Sequence, residues 1–487
     1  MFGDYVFEKS SAQYTDKILL LDDENLNRRT NYISAFSAHG FEIIRYTDDL
    51  AFRIEYEEKL KTTGAKMAVI AHTEQYIPYD VLQRLSAYKI SLENLFPKLH
   101  PAMLKDMDKA GLDLLCAAYS ANFDDLRQKH DTEIFLRLKV YARANVKAYL
   151  KKTTNDLIEK VKNVSRYTDW FSIAAEKAQL DVMAVQYDVD LDTQEINRLF
   201  QQYVLAQFGK LSQNIDKASP VIVSKAMDYI HDHSNKFIVV VMDGMSEFDW
   251  LIISGSFKNV KYEKTSMFAM IPSTTSISRQ CLLSGKYPSQ LLEPWKQSKE
   301  KLEFVNCAKS MGYSDLQIGY ERGYDAQFGV FVKCGVVIIN DIDDMVHSQK
   351  QGRIGMFNDI TLLANQKKLL DMTQRFINDG YDVYITADHG NTACIGLGKL
   401  MGTGVEVQTK SRRMIVLKDF ADINGLIEKY GLSEYPKYYL PKEYDYLICD
   451  VYDSFDAKGD EVMTHGGITL DEVVVPFIKI KAGEKNG

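Results

Sequence analysis

Aspartate and histidine recur at four places in the second half of the chain, in contexts that suit metal binding. The four places are Asp243-Gly244, Asp343-Asp-Met-Val-His347, Asp388-His389-Gly390 and His465-Gly466-Gly467. Asp343 and His347 are four residues apart, so one helical turn would bring both to the same face. Carboxylate oxygen and imidazole nitrogen are ligands of divalent metals, which makes these residues candidates for a metal centre.

Short apolar segments beside these places predict the strands that position them. They are Phe237–Met242, Val336–Asn340, the alternating stretch that begins at Tyr381, and Val473–Ile480. Helical patterns separate them, which predicts an α/β fold, and such folds place their sites beyond the carboxyl ends of the strands. Successive side chains of a strand point to opposite faces, so Asp388 and His389 can reach one point only after the strand has ended.

The donor set indicates which metals would bind. Three aspartates, three histidines and no cysteine favour Zn²⁺, with Mn²⁺ as the alternative, and disfavour a structural thiolate site. Their spacing supports a site for two ions. The remaining histidines lack this context and are interpreted as ordinary hydrogen-bonded residues: His39, His72, His100, His130, His231 and His233.

A cluster of hydroxyl residues opens the segment Pro272–Gly285, which reads Pro-Ser-Thr-Thr-Ser-Ile-Ser-Arg-Gln-Cys-Leu-Leu-Ser-Gly. The cluster leads into a helical pattern and would present a nucleophile at a helix N-terminus, where backbone N–H groups and the helix dipole hold anions. Considered alone, the segment is explained equally well as an ordinary Ser/Thr helix cap.

Length and composition exclude several classes of protein. The 487 residues exceed one ordinary core, so two or three domains are expected. The chain is 46 % apolar and 26 % charged, which is typical of a soluble globular protein, and no window approaches the ~18 apolar residues of a membrane span. Six cysteines without a CxxC pair, and an N-terminus without a signal-peptide pattern, predict a reduced, cytoplasmic protein. The net charge of −8 argues against broad nonspecific binding of nucleic acid, though not against a local basic groove.

The start of the chain predicts a small parallel sheet in β-α-β-α-β order. Its strands are Lys17–Asp23, Phe41–Tyr46 and Lys66–Ala71, with helices from about Asn25 to Ala38 and from Leu50 to Lys61. The pair Asp22-Asp23 suggests a receiver domain, which carries its phospho-accepting aspartate at the end of the third strand. Here that strand ends in Ala71-His72-Thr73. The receiver hypothesis is therefore rejected.

Three parts of the chain differ in character. We predict a small Rossmann-like α/β domain over 1–90, a helical domain or spacer over 91–235, and a catalytic domain over 236–487. The middle part is rich in Lys, Glu, Asp and Leu at helical spacing. Its charges are interpreted as a solvated face without chemistry.

Five segments of the last part occur in an order typical of one superfamily. They are Met242–Ser246, Pro272–Gly285, Ile342–Ser348, Ala387–Gly390 and Thr464–Pro476. In this order they resemble the alkaline phosphatase superfamily, and most closely its PglZ branch from bacterial BREX phage-defence systems. The resemblance covers Phe237 to Ile480 and extends more weakly to Ile44–Arg53 and Ile77–Asp80, which look like the domain that precedes PglZ cores. It implies an alkaline phosphatase-like core with a sheet flanked by helices.

The resemblance also implies roles for individual residues. The implied ligands of one metal are Asp343, His347 and His465, and those of the other are Asp243, Asp388, His389 and the oxygen of the nucleophile. The nucleophile maps to Thr275, with Thr274 as the fallback. It would form a phosphothreonine that water then hydrolyses. Candidate cations for the equatorial phosphate oxygens are Arg279, Arg412 and Arg413.

The implied function is metal-dependent hydrolysis of phosphoric esters in anti-phage defence. The expected partners are a phosphate ester, with nucleic acid or a nucleotide among the candidates, and other proteins of the defence system. Alternatives are a phosphomonoesterase or phosphomutase of the same superfamily, and a scaffold with a degenerate site. The presence of every expected ligand disfavours a degenerate site. The five segments contain one arginine and no lysine, which favours a phosphodiesterase, because monoesters carry more charge.

Overall fold

The computed structural model describes residues 1–120, 124–398, 411–418, 420 and 422–483. Two compact units divide the chain, one made of Met1–Lys151 with Tyr187–Val189 and the other of Lys152–Gln186 with Asp190–Gly487. Each unit contains a sheet with helices around it. The predicted α/β class is thus confirmed, whereas the domain boundaries at 90 and 235 stay a prediction.

The helices of the described residues are numbered in chain order. The α-helices are α1 (Phe2–Lys9), α2 (Leu26–Thr30), α3 (Ile33–Ala38), α4 (Asp49–Lys61), α5 (Tyr79–Leu82), α6 (Leu92–Leu95), α7 (Lys109–Tyr119), α8 (Lys129–Phe135), α9 (Arg143–Lys162), α10 (Asp169–Gln186), α11 (Gln194–Gln207), α12 (Ala226–His233), α13 (Glu247–Ile253), α14 (Thr275–Ser284), α15 (Glu300–Ser310), α16 (Asp341–Ser348), α17 (Gly352–Asn365), α18 (Lys368–Asn378), α19 (Ile423–Tyr430) and α20 (Leu470–Val473). Short 3₁₀ segments and one π-helical turn, Leu136–Val140, connect some of them.

The strands follow the same numbering. They are β1 (Lys17–Leu21), β2 (Glu42–Arg45), β3 (Met67–Ala71), β4 (Ser86–Lys89), β5 (Phe237–Met242), β6 (Glu263–Phe268), β7 (Ile318–Arg322), β8 (Cys334–Ile339), β9 (Asp382–Thr386), β10 (Thr392–Gly396), β11 (Met414–Leu417), β12 (Ser433–Glu434), β13 (Asp445–Ile448), β14 (Asp453–Ser454), β15 (Glu461–Thr464) and β16 (Val474–Ile480).

The N-terminal unit contains a parallel four-stranded sheet in the order β2-β3-β1-β4. Three of these strands match the prediction. The fourth strand, β4, was not predicted, because its residues are mostly exposed and lack an apolar pattern. The helix predicted from Asn25 to Ala38 is two helices, since Asn31 adopts a left-handed conformation with φ of 53° and ends α2. The core of this sheet is a cluster that includes Leu19, Phe52 and Val69.

The second unit is built on a six-stranded sheet in the order β6-β16-β9-β5-β8-β7. Strands β9, β5, β8 and β7 run parallel, and β16 is antiparallel to both of its neighbours. Every residue of β5 and β8 is buried, which explains their continuous apolar sequences. Because β9, β5 and β8 are adjacent and parallel, the residues that follow them lie at one edge of the sheet.

A small second sheet brings the last ligand segment to the same edge. Strands β10 and β15 pair antiparallel, with Thr392 opposite Thr464. His389 lies shortly before the first of these residues, and His465 directly follows the second. The pairing therefore holds the two histidine loops side by side. A third small sheet has the order β11-β13-β12.

The helical part of the chain differs from its interpretation as a solvated charged face. Lys177 and Asp181 on α10 are buried, as is Asn197 on α11. The cysteines are all buried free thiols. Within the described ranges, no helix combines the length and the apolar character needed to cross a membrane.

Candidate metal centre

Two groups of side chains at this edge of the large sheet could each hold a metal ion. The outer group is Asp343, His347 and His465, and the inner group is Asp243, Asp388 and His389. Within each group the ligand atoms lie within 4.8 Å of one another. These are the aspartate and histidine ligands that the resemblance implies, so the fold brings all six of them together.

The outer group depends on helix α16, which begins just after β8. Its spacing lets Asp343 Oδ2 approach His347 Nε2 at 3.4 Å, one turn further along. His465 arrives from the loop after β15, and its Nε2 lies 3.4 Å from Asp343 Oδ1 and from His347 Nε2. The His347 side chain is 37 % exposed, so this group opens to solvent.

The inner group follows the parallel strands β5 and β9 directly. Its histidine, His389, places Nε2 3.6 Å from Asp243 Oδ1 and 3.9 Å from Asp388 Oδ2. All three side chains are buried. The ring of His389 stacks on that of His465 with 4.2 Å between centroids, which makes the two groups neighbours.

Hydrogen bonds fix which nitrogen each buried histidine can offer. His389 Nδ1 lies 3.0 Å from its acceptor, the carbonyl oxygen of Gly390, and His465 Nδ1 lies 3.0 Å from the carbonyl oxygen of Ser273. A carbonyl only accepts, so Nδ1 carries the proton in both rings. The Nε2 lone pairs are thereby left for a metal, as in most histidine sites.

Thr275 is half-buried and lies beside the inner group. It is the first residue of α14, and its Oγ1 is 3.3 Å from Asp243 Oδ1 and 3.2 Å from His389 Nε2. The fallback nucleophile, Thr274, is buried, and its Oγ1 has only a 3.5 Å contact with Ser276 Oγ. The geometry therefore favours Thr275 over Thr274.

Arg279 has a position that sequence reasoning missed. It lies one turn beyond Thr275 and is fully buried, with Nη1 2.5 Å from Asp243 Oδ2 and Nε 2.7 Å from Glu300 Oε2. Glu300 also accepts a hydrogen bond from Tyr320 and contacts Arg322. The guanidinium therefore holds one oxygen of a candidate ligand, while the other oxygen of Asp243 faces Thr275 and His389.

The other two candidate cations are also engaged. Arg413 is buried and donates to Glu472 and to the carbonyl oxygens of Asp450 and Val451. Arg412 pairs with Asp456 at 2.7 Å. A charge pattern in the sequence cannot reveal such pairing, because the acidic partners come from distant segments.

The pKa shifts of the buried side chains indicate that the centre would be stabilised by additional positive charge. Burial and the nearby charge of Asp388 raise the pKa of Asp243 well above its usual range. Burial opposes protonation of His389, but the charges of Asp388 and Asp243 outweigh it and raise its pKa. Burial lowers the pKa of His465 to about 3, so this imidazole is neutral and can be a ligand.

Unpaired buried oxygens show that both groups fit a metal ion. Asp343 Oδ1 and Asp388 Oδ2 are shielded from solvent, and neither has a hydrogen-bond partner among the described residues. An unpartnered carboxylate oxygen is costly to bury. Each group supplies one such oxygen beside free imidazole nitrogen, which is the donor chemistry that divalent ions take.

The chain is a phosphoester hydrolase of the alkaline phosphatase superfamily, as its site and its family indicate together. It belongs to the PglZ family: residues 222–480 match the model described as the BREX system PglZ alkaline phosphatase-like domain. That match confirms the predicted resemblance. Members of the superfamily use divalent metals.

Solved structures of other proteins are similar over part of the chain. Murine ectonucleotide pyrophosphatase/phosphodiesterase 5 shows 13 % identity over 50 % of this chain and 88 % of its own, with a TM-score of 0.34. Phosphonoacetate hydrolase from Sinorhizobium meliloti, in complex with phosphonoformate, shows 12 % identity over 50 % and 90 %, also with a TM-score of 0.34. No curated protein matches the sequence.

Proposed function

We propose that this protein is a metal-dependent phosphodiesterase that uses Thr275 as its nucleophile. The observation that carries the proposal is the convergence of the Thr275 hydroxyl with both ligand groups at one sheet edge. The outer ion would be held by Asp343, His347 and His465, and the inner one by Asp243, Asp388, His389 and the Thr275 oxygen. With three histidines among the donors we propose Zn²⁺, with Mn²⁺ as the alternative.

When bound, two divalent ions supply positive charge to the attacking and leaving oxygens and lower the pKa of a hydroxyl. The Thr275 oxygen attacks phosphorus and gives up its proton to solvent as one ester oxygen leaves, so that a phosphothreonine forms which keeps the second ester group. Water then attacks the same phosphorus, releases the phosphomonoester and restores the threonine. Within the described residues, the amides of Thr275 and Ser276 have no acceptor, so they can donate to a nonbridging oxygen at the N-terminus of α14.

The preference for diesters follows from how the nearby cations are used. Arg279, Arg412 and Arg413 are each paired with a carboxylate, so these three side chains do not neutralise a bound phosphate. A monoester carries nearly two negative charges, whereas a diester carries one. Neutral amide donors suit the lower charge. We propose that the diester is nucleic acid or a nucleotide.

The biological setting is proposed from the family. PglZ domains of this kind are described as parts of BREX systems, so we propose a role in anti-phage defence with other proteins of such a system as partners.

Metal analysis combined with kinetics tests the proposal. Purified protein should hold up to two divalent ions, lose activity on chelation, and hydrolyse a bis-aryl phosphate with higher kcat/KM than the mono-aryl phosphate of the same leaving group. His347→Ala should abolish turnover, while His233→Ala, an exposed histidine on α12, should not. Activity that survives chelation rejects the metal mechanism, and faster hydrolysis of the monoester indicates a phosphomonoesterase.

A further inference from the structure

We propose that Lys177, in the helical part of the chain, is a positioning residue for the metal centre. It would act through Asp471 on the short helix α20, a turn that contacts both the loop of His389 and the loop of His465. The inference rests on the proposed function, since it assigns the turn a role in holding metal ligands.

Lys177 is fully buried on α10, and its ammonium is engaged on two sides. Nζ lies 2.7 Å from Asp181 Oδ2 and 2.8 Å from each carboxylate oxygen of Asp471. Arg353 on α17 contacts both of these carboxylates, and Asn197 Nδ2 lies 3.5 Å from Asp471 Oδ2. Two cations and two carboxylates therefore form a neutral cluster that three helices hold around the Asp471 side chain.

The backbone of Asp471 lies directly against the loop of the inner ligands. A Cβ atom at Gly390 would overlap the Asp471 carbonyl oxygen, so only glycine permits this approach. The Gly390 amide donates to the carbonyl oxygen of Glu472 at 2.9 Å. Gly390 directly follows Asp388 and His389, so a shift of this turn would move both ligands.

Glu472 connects the same turn to the outer group. Its carboxylate accepts hydrogen bonds from the Gly467 amide at 2.8 Å and from Arg413 Nη1 at 3.1 Å. Gly467 lies two residues after His465. Consecutive acidic side chains thus point to different partners, with Asp471 held by the helices and Glu472 holding the His465 loop.

Stability alone does not account for a buried lysine at this place. A buried ion pair is often no more stabilising than apolar side chains of similar size, because desolvation offsets the attraction. Metal ligands, in contrast, require positions fixed to within about 0.5 Å, and outer residues that orient them typically change affinity or activity 10- to 100-fold. The position of Lys177 fits that of an outer residue that orients metal ligands.

Zinc affinity and amide hydrogen exchange of Lys177→Met test the proposal. We expect zinc affinity, measured by competition with a chelator, to fall about 10- to 100-fold. In metal-free protein we expect exchange at the Gly390 amide to accelerate at least about tenfold, while the amide of Val239 in β5 keeps its wild-type protection. Lys225→Met is the matched control, because that lysine is half-buried and binds the carbonyl oxygens of Ser212 and Asn214 instead.

A second variant covers the case in which Lys177→Met does not fold. Asp471→Asn keeps the shape of the side chain and removes its charge, and it should give the same two changes in weaker form. Unchanged zinc affinity and Gly390 exchange in a folded variant overturn the proposal, as does equal acceleration at Gly390 and Val239. Wild-type protein that binds no metal contradicts the proposed function, whereas the exchange result in metal-free protein still tests the positioning.

Discussion

Replacement of Thr275 by alanine separates the proposed chemistry from stability. The Thr275 hydroxyl is half-buried and makes two contacts of 3.2 and 3.3 Å, at the long end of the hydrogen-bond range. Each such bond contributes about 0.5–1.5 kcal/mol. Alanine at the first residue of α14 has high helix propensity, so the unfolding free energy should fall by only about 1–2 kcal/mol.

The effect on catalysis should be far larger. Removal of the nucleophile of a covalent hydrolase lowers kcat by many orders of magnitude, so we expect Thr275→Ala to reduce kcat for a bis-aryl phosphate at least about 10⁴-fold. Rapid acid quench followed by mass spectrometry should find an aryl phosphate adduct on the peptide that contains Thr275 in the wild type and none in the variant.

Thr274→Ala is the matched control, since it removes a hydroxyl of the same kind from the adjacent residue. Thr274 is the N-cap residue of α14, but its side chain makes no capping hydrogen bond and contacts only the Ser276 hydroxyl at 3.5 Å. We therefore expect kcat to stay within about tenfold of the wild type. If Thr274→Ala is inactive and Thr275→Ala is active, the nucleophile is the earlier threonine. If neither variant loses activity, neither threonine is the nucleophile.

Three further outcomes are expected. Chelation should lower the unfolding midpoint, since zinc at 100 times its Kd stabilises the folded state by about 2.7 kcal/mol, and an unchanged midpoint in calorimetry would contradict metal binding. Arg279→Met should lower the unfolding free energy by about 3–5 kcal/mol, because it leaves Asp243 and Glu300 without their buried cation. Added zinc should restore part of this loss. A loss below about 1 kcal/mol in urea titration would refute the pairing. Burial raises the pKa of Asp249 to about 6, so its contribution to stability is complete below the unfolded pKa near 3.8 and is lost as pH rises through about 6. The stability of wild type relative to Asp249→Asn should therefore fall from pH 4 to pH 7 in urea unfolding, and a constant difference would show that this carboxyl has no raised pKa.

The strands that carry the inner ligands could be predicted from sequence because both of their faces are buried. Phe237–Met242 is apolar throughout and was predicted with its exact bounds, and parallel neighbours place their following residues at one edge. His465 is different, since it precedes an antiparallel strand and reaches the edge through the pairing of β10 with β15. Its residue context made it a candidate ligand, but only the resemblance to a known family paired it with Asp343 and His347.

Charged side chains were the part that sequence patterns could not predict. Lys177 lies on helix α10, and its partner Asp471 lies 294 residues further along the chain. Arg279 looked like a free cation beside a nucleophile, but the fold pairs it with Asp243 and Glu300. Both cases depend on which distant carboxylate the fold brings close, and local spacing carries no information about that.

The unequal exposure of the two ligand groups bears on how a phosphate would enter. His389 is fully buried, whereas the side chain of His347 is 37 % exposed, so the open side of the centre is that of the outer group and Thr275. The inner side is closed by Arg279, whose charge is already matched by Asp243 and Glu300. A phosphate that enters beside Thr275 therefore meets neutral amides at the start of α14. It meets no unpaired guanidinium from Arg279, Arg412 or Arg413, since each of these is paired with a carboxylate. Such surroundings compensate one negative charge more readily than two, which is the physical basis for the proposed preference for diesters.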